Sequence, residues 1–530
     1  MIRTLFCLIV ILFIVNCEQV IVDEHGIFEL KNGTDNHKYH ELTEILRKIS
    51  ILRGINAVLE WDQQVMMPTK GSGARAEHLA EISGILHERE TDPKIGELLT
   101  SLESELHTLD AYEAANVKLT RKDYDRKTKL SKDLAEKRAK LSSEGFNTWV
   151  EARKTNNFEM FAPILTQWVA LQKEIANLID PSRDAYDVLL DDYEPGTSGQ
   201  EIDNIFSQLK TELIPLVAAV RRSNSQVDDS TLLEQVYSTK TQEELSRKIA
   251  SEVVGFDFSK GRLDSSAHPF SLGVDTDDVR ITTRLRNNSL LSGLRCTVHE
   301  AGHALYEVNL NKKYKGQTVQ RYIGVAIHES QSLFWERHIL MGTHFWDKWY
   351  PHIKDLFGLK ASKEIMFKSV NKVNFDNLIR VEADELTYPL HVILRFEIER
   401  ELFNGTINVN ELPKIWGERM EKYLGIKPSN DSNGVLQDVH WGSGYFGYFP
   451  TYTLGALYAA QIAAHPTISG WVRENDYNSI INWLRDNVHS KGSVTMTSEQ
   501  LIKDATGEKL NPSYFINHLR SKYKSIYDLE

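Results

Sequence analysis

The sequence predicts a mainly α-helical fold: one large helical domain folded around a cleft, with a small β element. Three observations predict it. Proline is scarce, 14 of 530 residues, and glycine is moderate at 30, so long helices are rarely interrupted and an all-β chain is disfavoured. Apolar residues recur at three- and four-residue steps from about residue 37 to 180. Runs of β-branched residues, by contrast, are few.

The helical elements follow in order. Glu41-Leu42-Thr43-Glu44-Ile45-Leu46-Arg47-Lys48-Ile49 carries the helical apolar period. Ala111 to Lys154 reads as one long, charge-laced helix whose Lys, Arg, Asp and Glu form a solvated face. Glu194-Pro195-Gly196-Thr197-Ser198-Gly199 contains a turn and then a capping Thr or Ser, so a helix is expected to start near Gln200. Val274 to Thr283 is the main candidate strand, ending in Val279-Arg280-Ile281-Thr282-Thr283. No internal repeat or long linker divides the chain, so residues 37–530 read as a single domain.

The first residues have a different character. Arg3 precedes an apolar run from Leu5 to Val15, which is too short for a comfortable membrane span but fits a signal-peptide core. Val15 and Cys17 fall at the −3 and −1 positions of cleavage, giving a signal peptide over 1–17 and a short leader over 18–36. An uncleaved anchor, or lipid attachment at Cys17, are the alternative readings of the same run. No later segment is long and apolar enough to span a bilayer, so no stable membrane insertion is expected after cleavage. The expected location is the secretory pathway, with a secreted or lysosomal/vacuolar destination. Sequons at Asn32, Asn287, Asn404 and Asn430 are compatible with a glycoprotein. Cys296 is the one cysteine left after cleavage, so no internal disulfide can form. The net charge of −12 disfavours nucleic acid as a partner, because phosphates call for a basic stripe.

The chemistry concentrates in Cys296-Thr297-Val298-His299-Glu300-Ala301-Gly302-His303. Residues four apart lie one turn above the other on a helix face, so the imidazoles of His299 and His303 can grip one cation. Zinc suits nitrogen ligands and keeps an open position for water when the protein supplies three. Glu300 flanks that position and can take a proton from the attacking water and later deliver it to the leaving amine. H-E-x-x-H would arise by chance roughly 0.04 times in a chain of this composition, so two unrelated surface histidines are the weaker explanation. A third ligand is expected on the following helix, Ile327-His328-Glu329-Ser330-Gln331-Ser332-Leu333-Phe334-Trp335-Glu336. Glu329 lies 26 residues beyond His303, but periodicity does not choose it over His328 or Glu336.

From about residue 40 to the C-terminus the chain resembles the carboxypeptidase Taq family of zinc metallocarboxypeptidases. The resemblance rests on six motifs in order: His268-Pro269-Phe270; Asp278-Val279-Arg280-Ile281-Thr282; the H-E-x-x-H helix; His328-Glu329-Ser330-Gln331; Ile379-Arg380-Val381-Glu382-Ala383-Asp384; and Gly434-Val435-Leu436-Gln437-Asp438-Val439-His440-Trp441. Trp61-Asp62-Gln63, Trp149-Val150-Glu151-Ala152-Arg153 and Leu190-Asp191-Asp192-Tyr193-Glu194-Pro195 are similar as well. The resemblance implies a mostly helical metallopeptidase domain with a long deep groove, usually a homodimer. It also implies one zinc per chain, for which cobalt can substitute, with Glu329 as third ligand beside His299 and His303. The implied activity is removal of single residues from peptides with a free C-terminus, with broad specificity. A peptidase that releases dipeptides or cuts internally, and an inactive zinc-binding homologue, are the alternatives. The signal peptide and sequons depart from the usual intracellular members.

An exopeptidase must hold the terminal carboxylate, and a planar guanidinium does this with two parallel hydrogen bonds. Arg280 and Arg380 are the candidates, unless they pair with Asp278 and Asp384 to brace the fold. The oxyanion of the tetrahedral intermediate needs a donor besides the metal. His440 and Tyr448 are favoured, with Tyr445 and Tyr452 in the same Gly- and Tyr-rich run; Tyr452 is also placed at the substrate. His268 is either substrate-facing or a supporting, hydrogen-bonded histidine.

Overall fold

The computed structural model describes residues 36–530 together with the backbone of two short antiparallel strands, β1 (Val20–Val22) and β2 (Phe28–Leu30). The expected signal peptide, most of the leader and the Asn32 sequon lie outside the described residues.

The architecture is mainly α, as the periodicity indicates, with a three-stranded sheet beside the helix that carries the H-E-x-x-H sequence. Helix α1 (His37–Val65) starts where the Asn36 side chain accepts from the amides of Lys38 and Tyr39, satisfying two of the free donors of a helix start. The stretch expected as one helix over 111–154 is two: α2 (Ala111–Thr128) and α3 (Lys132–Thr155). The break has a local cause, since the Ser131 hydroxyl accepts from Leu134 N and caps a new helix. Helix α4 (Gly199–Arg222) begins as expected, behind a reciprocal cap between Ser198 and Glu201.

The candidate strand over 274–283 is in fact the arm of a hairpin. Strands β3 (Gly261–Ser265), β4 (Ser271–Asp275) and β5 (Asp278–Thr283) order as β3-β5-β4, with β3 parallel and β4 antiparallel to β5. The turn falls at Thr276-Asp277, where Asp275 Oδ1 accepts from Asp277 N at 3.2 Å. Alternation along β5 buries Val279 and Ile281 and turns Arg280 the other way. There Arg280 and its cross-strand partner Arg262 both lie over the Trp61 ring of α1, at 4.6 and 4.7 Å from its centroid.

Helix α5 (Leu290–Val308), which carries the H-E-x-x-H sequence, lies on this sheet. Ser289 caps it by accepting from Ser292 N, and Thr297 Oγ1 donates to Thr283 Oγ1 of β5 at 3.0 Å. Helix α6 (Val325–Leu333) packs on α5 and runs directly into a π-helical segment, Phe334–Leu340. Helix α8 (Pro450–Ala464) packs against α6 and against α7 (Tyr388–Asn404), and α9 (Ser513–Ile526) packs along α8 and α4. Helix α9 is pinned by two hydrogen bonds, one of them an ion pair: Lys522 Nζ and His518 Nε2 reach the buried Glu385 at 2.7 and 3.0 Å. Among the described residues no helix is long and apolar enough to cross a membrane.

Candidate metal centre

His299 and His303 stand one turn apart on α5, and Glu329 faces them from α6. The carboxylate oxygen of Glu329 lies 3.8 Å from His299 Nε2 and 3.3 Å from His303 Nε2. One ligand atom from each of the three lies within 4.8 Å of the others, a grouping that can hold a metal ion.

The imidazoles are oriented before any ion arrives. His299 Nδ1 donates to Glu336 Oε2 at 2.8 Å, and Glu336 Oε1 accepts Arg295 Nε and Nη2 at 3.1 and 2.7 Å. His303 Nδ1 donates to the His328 carbonyl at 3.1 Å. With both Nδ1 atoms committed, both Nε2 lone pairs are left for a common point, the arrangement a metal-binding histidine requires. The donor set therefore fits a small divalent cation. Glu336 and His328, left open beside Glu329 by the sequence, take other work. Glu336 orients His299, while His328 pairs with Glu307 at 3.0 Å and stacks on the His303 ring at 4.5 Å.

Charge within the site is unevenly held. Burial opposes protonation of His299, yet Glu329 and Glu336 outweigh it and lift the imidazole to about 9. Burial, together with the neighbouring His328, pushes His303 down to about 4. For Glu329 and Glu336, burial is outweighed by the cations around them, and both carboxyls sit below the usual range. Glu300 is pushed up to about 7, by burial first; His299 draws it down, while Glu329 and Glu336 add to the rise. A carboxyl poised near neutrality is suited to both accepting and returning a proton.

Two glycines make the approach possible. A Cβ on Gly302 would meet the Gln331 carbonyl oxygen and Ser332 Cα, each at 2.7 Å. A Cβ on Gly455 of α8 would meet Glu329 Cγ at 2.7 Å. Gly302→Ala must push α5 and α6 apart, because its obstacles are backbone. We expect it to cost about 1–3 kcal/mol in stability and to weaken metal binding, read from the unfolding midpoint and from competition with a chelating dye. An alanine variant with wild-type values for both would remove the packing role.

The remaining predicted residues divide. Tyr448 and Tyr452 gather with His440 on the wall facing Glu329: Tyr448 lies 5.3 Å from Tyr452 and 5.6 Å from His440 between ring centroids, and the Tyr452 hydroxyl is 3.4 Å from His440 Nε2. Burial, then the charge of Glu329, pushes Tyr448 up to about 12. Burial holds His440 down at about 4, and its Nδ1 is buried without a hydrogen-bond partner among the described residues. Tyr445 is exposed at the surface.

Arg380 is buried, but its partner is Asp438, not the Asp384 considered from the sequence. Nε and Nη2 reach Asp438 Oδ1 at 2.9 Å, and Nη1 donates to the Tyr388 hydroxyl at 2.7 Å. The same Asp438 holds the fully buried Arg395, with Arg395 Nε donating to Oδ2 at 2.6 Å. Asp384 instead accepts the amides of Asn374, Leu386 and Thr387. Arg280 donates to both oxygens of Asp278, at 2.9 and 2.7 Å. His268 is exposed in the loop between β3 and β4, so a buried supporting histidine is not what stands there. Sequence reasoning missed Arg295, Tyr388 and the second arginine on Asp438; Glu336, seven residues beyond Glu329 and so on the same helix face, did carry a signal.

With this geometry in hand, comparisons with known proteins agree closely. The family model described as carboxypeptidase Taq (M32) metallopeptidase matches residues 41–523. Carboxypeptidase 1 of Bacillus subtilis is 35% identical over 505 residues, covering 93% of this chain and 99% of its own. Thermostable carboxypeptidase 1 of Thermus thermophilus is 36% identical over 512 residues, covering 93% and 100%. The solved structure of an M32 carboxypeptidase from Deinococcus radiodurans superposes with a TM-score of 0.88 at 32% identity, covering 93% of this chain and 100% of the other. That of Trypanosoma cruzi metallocarboxypeptidase 1 gives 0.86 at 35% identity, covering 92% and 99%.

Proposed function

The chain belongs to the carboxypeptidase Taq (M32) metallopeptidase family, and on that premise we propose that it is a zinc-dependent carboxypeptidase that removes single residues from peptide C-termini with broad acceptance of side chains. The observation that carries this reading is the convergence of His299, His303 and Glu329 with both imidazoles already oriented. A zinc ion held there would polarise the scissile carbonyl and ready water for attack at neutral pH. The chain's own groups do the rest. A Glu300 carboxylate oxygen takes the proton of the attacking water and returns it to the leaving amine. Tyr448 stays protonated at any physiological pH, so its hydroxyl can donate to the developing oxyanion, and His440, kept neutral, is placed to donate beside it. Arg380 and Arg395 share one aspartate, which leaves one unbalanced positive charge on the wall that faces a substrate carboxylate. Tyr452, whose ring lies 4.8 Å beneath Arg380, lines the same wall. Arg280 is committed to Asp278 and Trp61, and we read it as a brace.

We further assign the mature chain to the secretory pathway, secreted or lysosomal/vacuolar, as a glycosylated homodimer. Its support is the N-terminal apolar run, the family resemblance, and the exposure of Asn287 in a turn and of Asn404 at the C-terminal end of α7. The enzymatic reading is tested by incubating the purified protein with an N-terminally blocked tetrapeptide, with zinc or cobalt and with a chelator. Stepwise release of single C-terminal residues, stopped by the chelator and restored by metal, is the expected result. Release of dipeptides would keep the hydrolytic centre and move the carboxylate-binding group; a folded, metal-loaded protein that cleaves nothing would count against the whole proposal.

A further inference from the structure

Arg337 stands apart from the other arginines around the metal centre. It follows Glu336 in the π-helical segment, a distortion often found at functional sites. The residue is only 7% exposed, yet Nε and Nη1 are buried without a hydrogen-bond partner, and the side chain enters no ion pair among the described residues. Its neighbours give it direction: the guanidinium lies 5.6 Å from the Tyr388 ring centroid, and its charge is felt by Glu329, Glu336 and the buried Glu385, none of which forms an ion pair with it. Tyr388 is also the residue whose hydroxyl accepts from Arg380, whose own guanidinium lies 5.8 Å from that ring.

The comparison among cations is decisive. Arg295 is spent on Glu336, Arg280 on Asp278, Arg380 on Asp438 and Tyr388, and Lys522 on Glu385. Buried donors are almost always paired in folded proteins, so a buried guanidinium with free nitrogens calls for an external acceptor. A carboxylate fits best, because its two oxygens match two adjacent N–H groups.

We infer that Arg337 binds the terminal carboxylate of the peptide substrate, with Arg380 and Tyr388 completing that end of the site. This rests on the carboxypeptidase reading above and adds the group that distinguishes a free C-terminus from a blocked one.

The test uses the full chain stripped of metal, so that binding is read without turnover. A fluorescent N-acyl dipeptide and its C-terminal amide are titrated by anisotropy against wild type, Arg337→Gln, Arg337→Lys and Arg280→Gln. Wild type and Arg280→Gln are expected to prefer the carboxylate by at least about tenfold. Arg337→Gln is expected to lose that preference, and Arg337→Lys to keep only part of it, since it retains charge without the planar fork. Ligand-free Arg337→Gln should melt close to wild type, because it removes a ring contact and longer-range charge but no internal hydrogen bond or ion pair; a drop as large as that of a broken buried ion pair would make Arg337 a structural brace and overturn the assignment. Full preference retained by Arg337→Gln would overturn it too, while leaving the carboxypeptidase reading intact. Equal binding of acid and amide by wild type would overturn both.

Discussion

Glu300→Gln is expected to lower kcat by about 10²- to 10⁴-fold while leaving metal content and fold unchanged. The substitution keeps the shape of the side chain and removes its ability to accept a proton. Glu300 is 7% exposed and lies next to His299 on α5, so a glutamine can occupy the same space without disturbing the ligands. A fall in kcat with KM nearly constant is the signature of a group acting on the reacting atoms. Metal analysis of the purified variant separates this from loss of the ion. If the variant turned over at the wild-type rate with full metal, another base would have to be found, and no other acid in the site is both unpaired and adjacent to the ligands.

The second large effect is structural. Asp438→Asn removes the one carboxylate shared by Arg380 and Arg395, whose side chains are 4% and 0% exposed. Two buried guanidiniums would then face each other without a counter-charge. Breaking a buried pair by deleting one partner costs about 3–5 kcal/mol, because the remaining charge stays desolvated. The expected result is a clearly lower denaturant midpoint, together with a raised KM, since Arg380 and His440 flank the same aspartate. Deleting the exposed Lys140–Glu144 pair should change stability by about 0.5 kcal/mol or less. Equal midpoints for the two variants would show that Asp438 carries no such load.

These contrasts explain what could be read from the sequence. The pair His299 and His303 was legible because four residues make one helical turn, a relation contained in five letters. The third ligand was harder. His328, Glu329 and Glu336 occupy one helix, and the choice among them depends on how α6 crosses α5, which Gly302 and Gly455 permit at close range. The helical class followed from periodicity, but the break at Ser131 and the turn at Thr276-Asp277 were missed, although a capping serine and an Asp-rich turn were present. Arg380 was singled out with Asp384 as its possible partner, yet the partner found lies 58 residues away instead of four, a relation no local pattern contains. Arg337 was not singled out at all. An arginine letter reads the same whether its nitrogens are paired or free.

Helix α9 carries a consequence for the timing of biosynthesis. Glu385 is buried, and the groups that bond it directly, Lys522 and His518, are made more than a hundred positions later, while the earlier Arg337 adds only a charge with no ion pair. Until those residues leave the ribosome, the segment between the π-helical turn and α7 holds a carboxylate without a bonded partner, which is costly to bury. A nascent chain can have every metal ligand outside the exit tunnel and still lack a stable wall behind them. Chains cut short before α9 would thus be released as substrates for quality control, with the ligands of a metal centre but without the fold that keeps them in place.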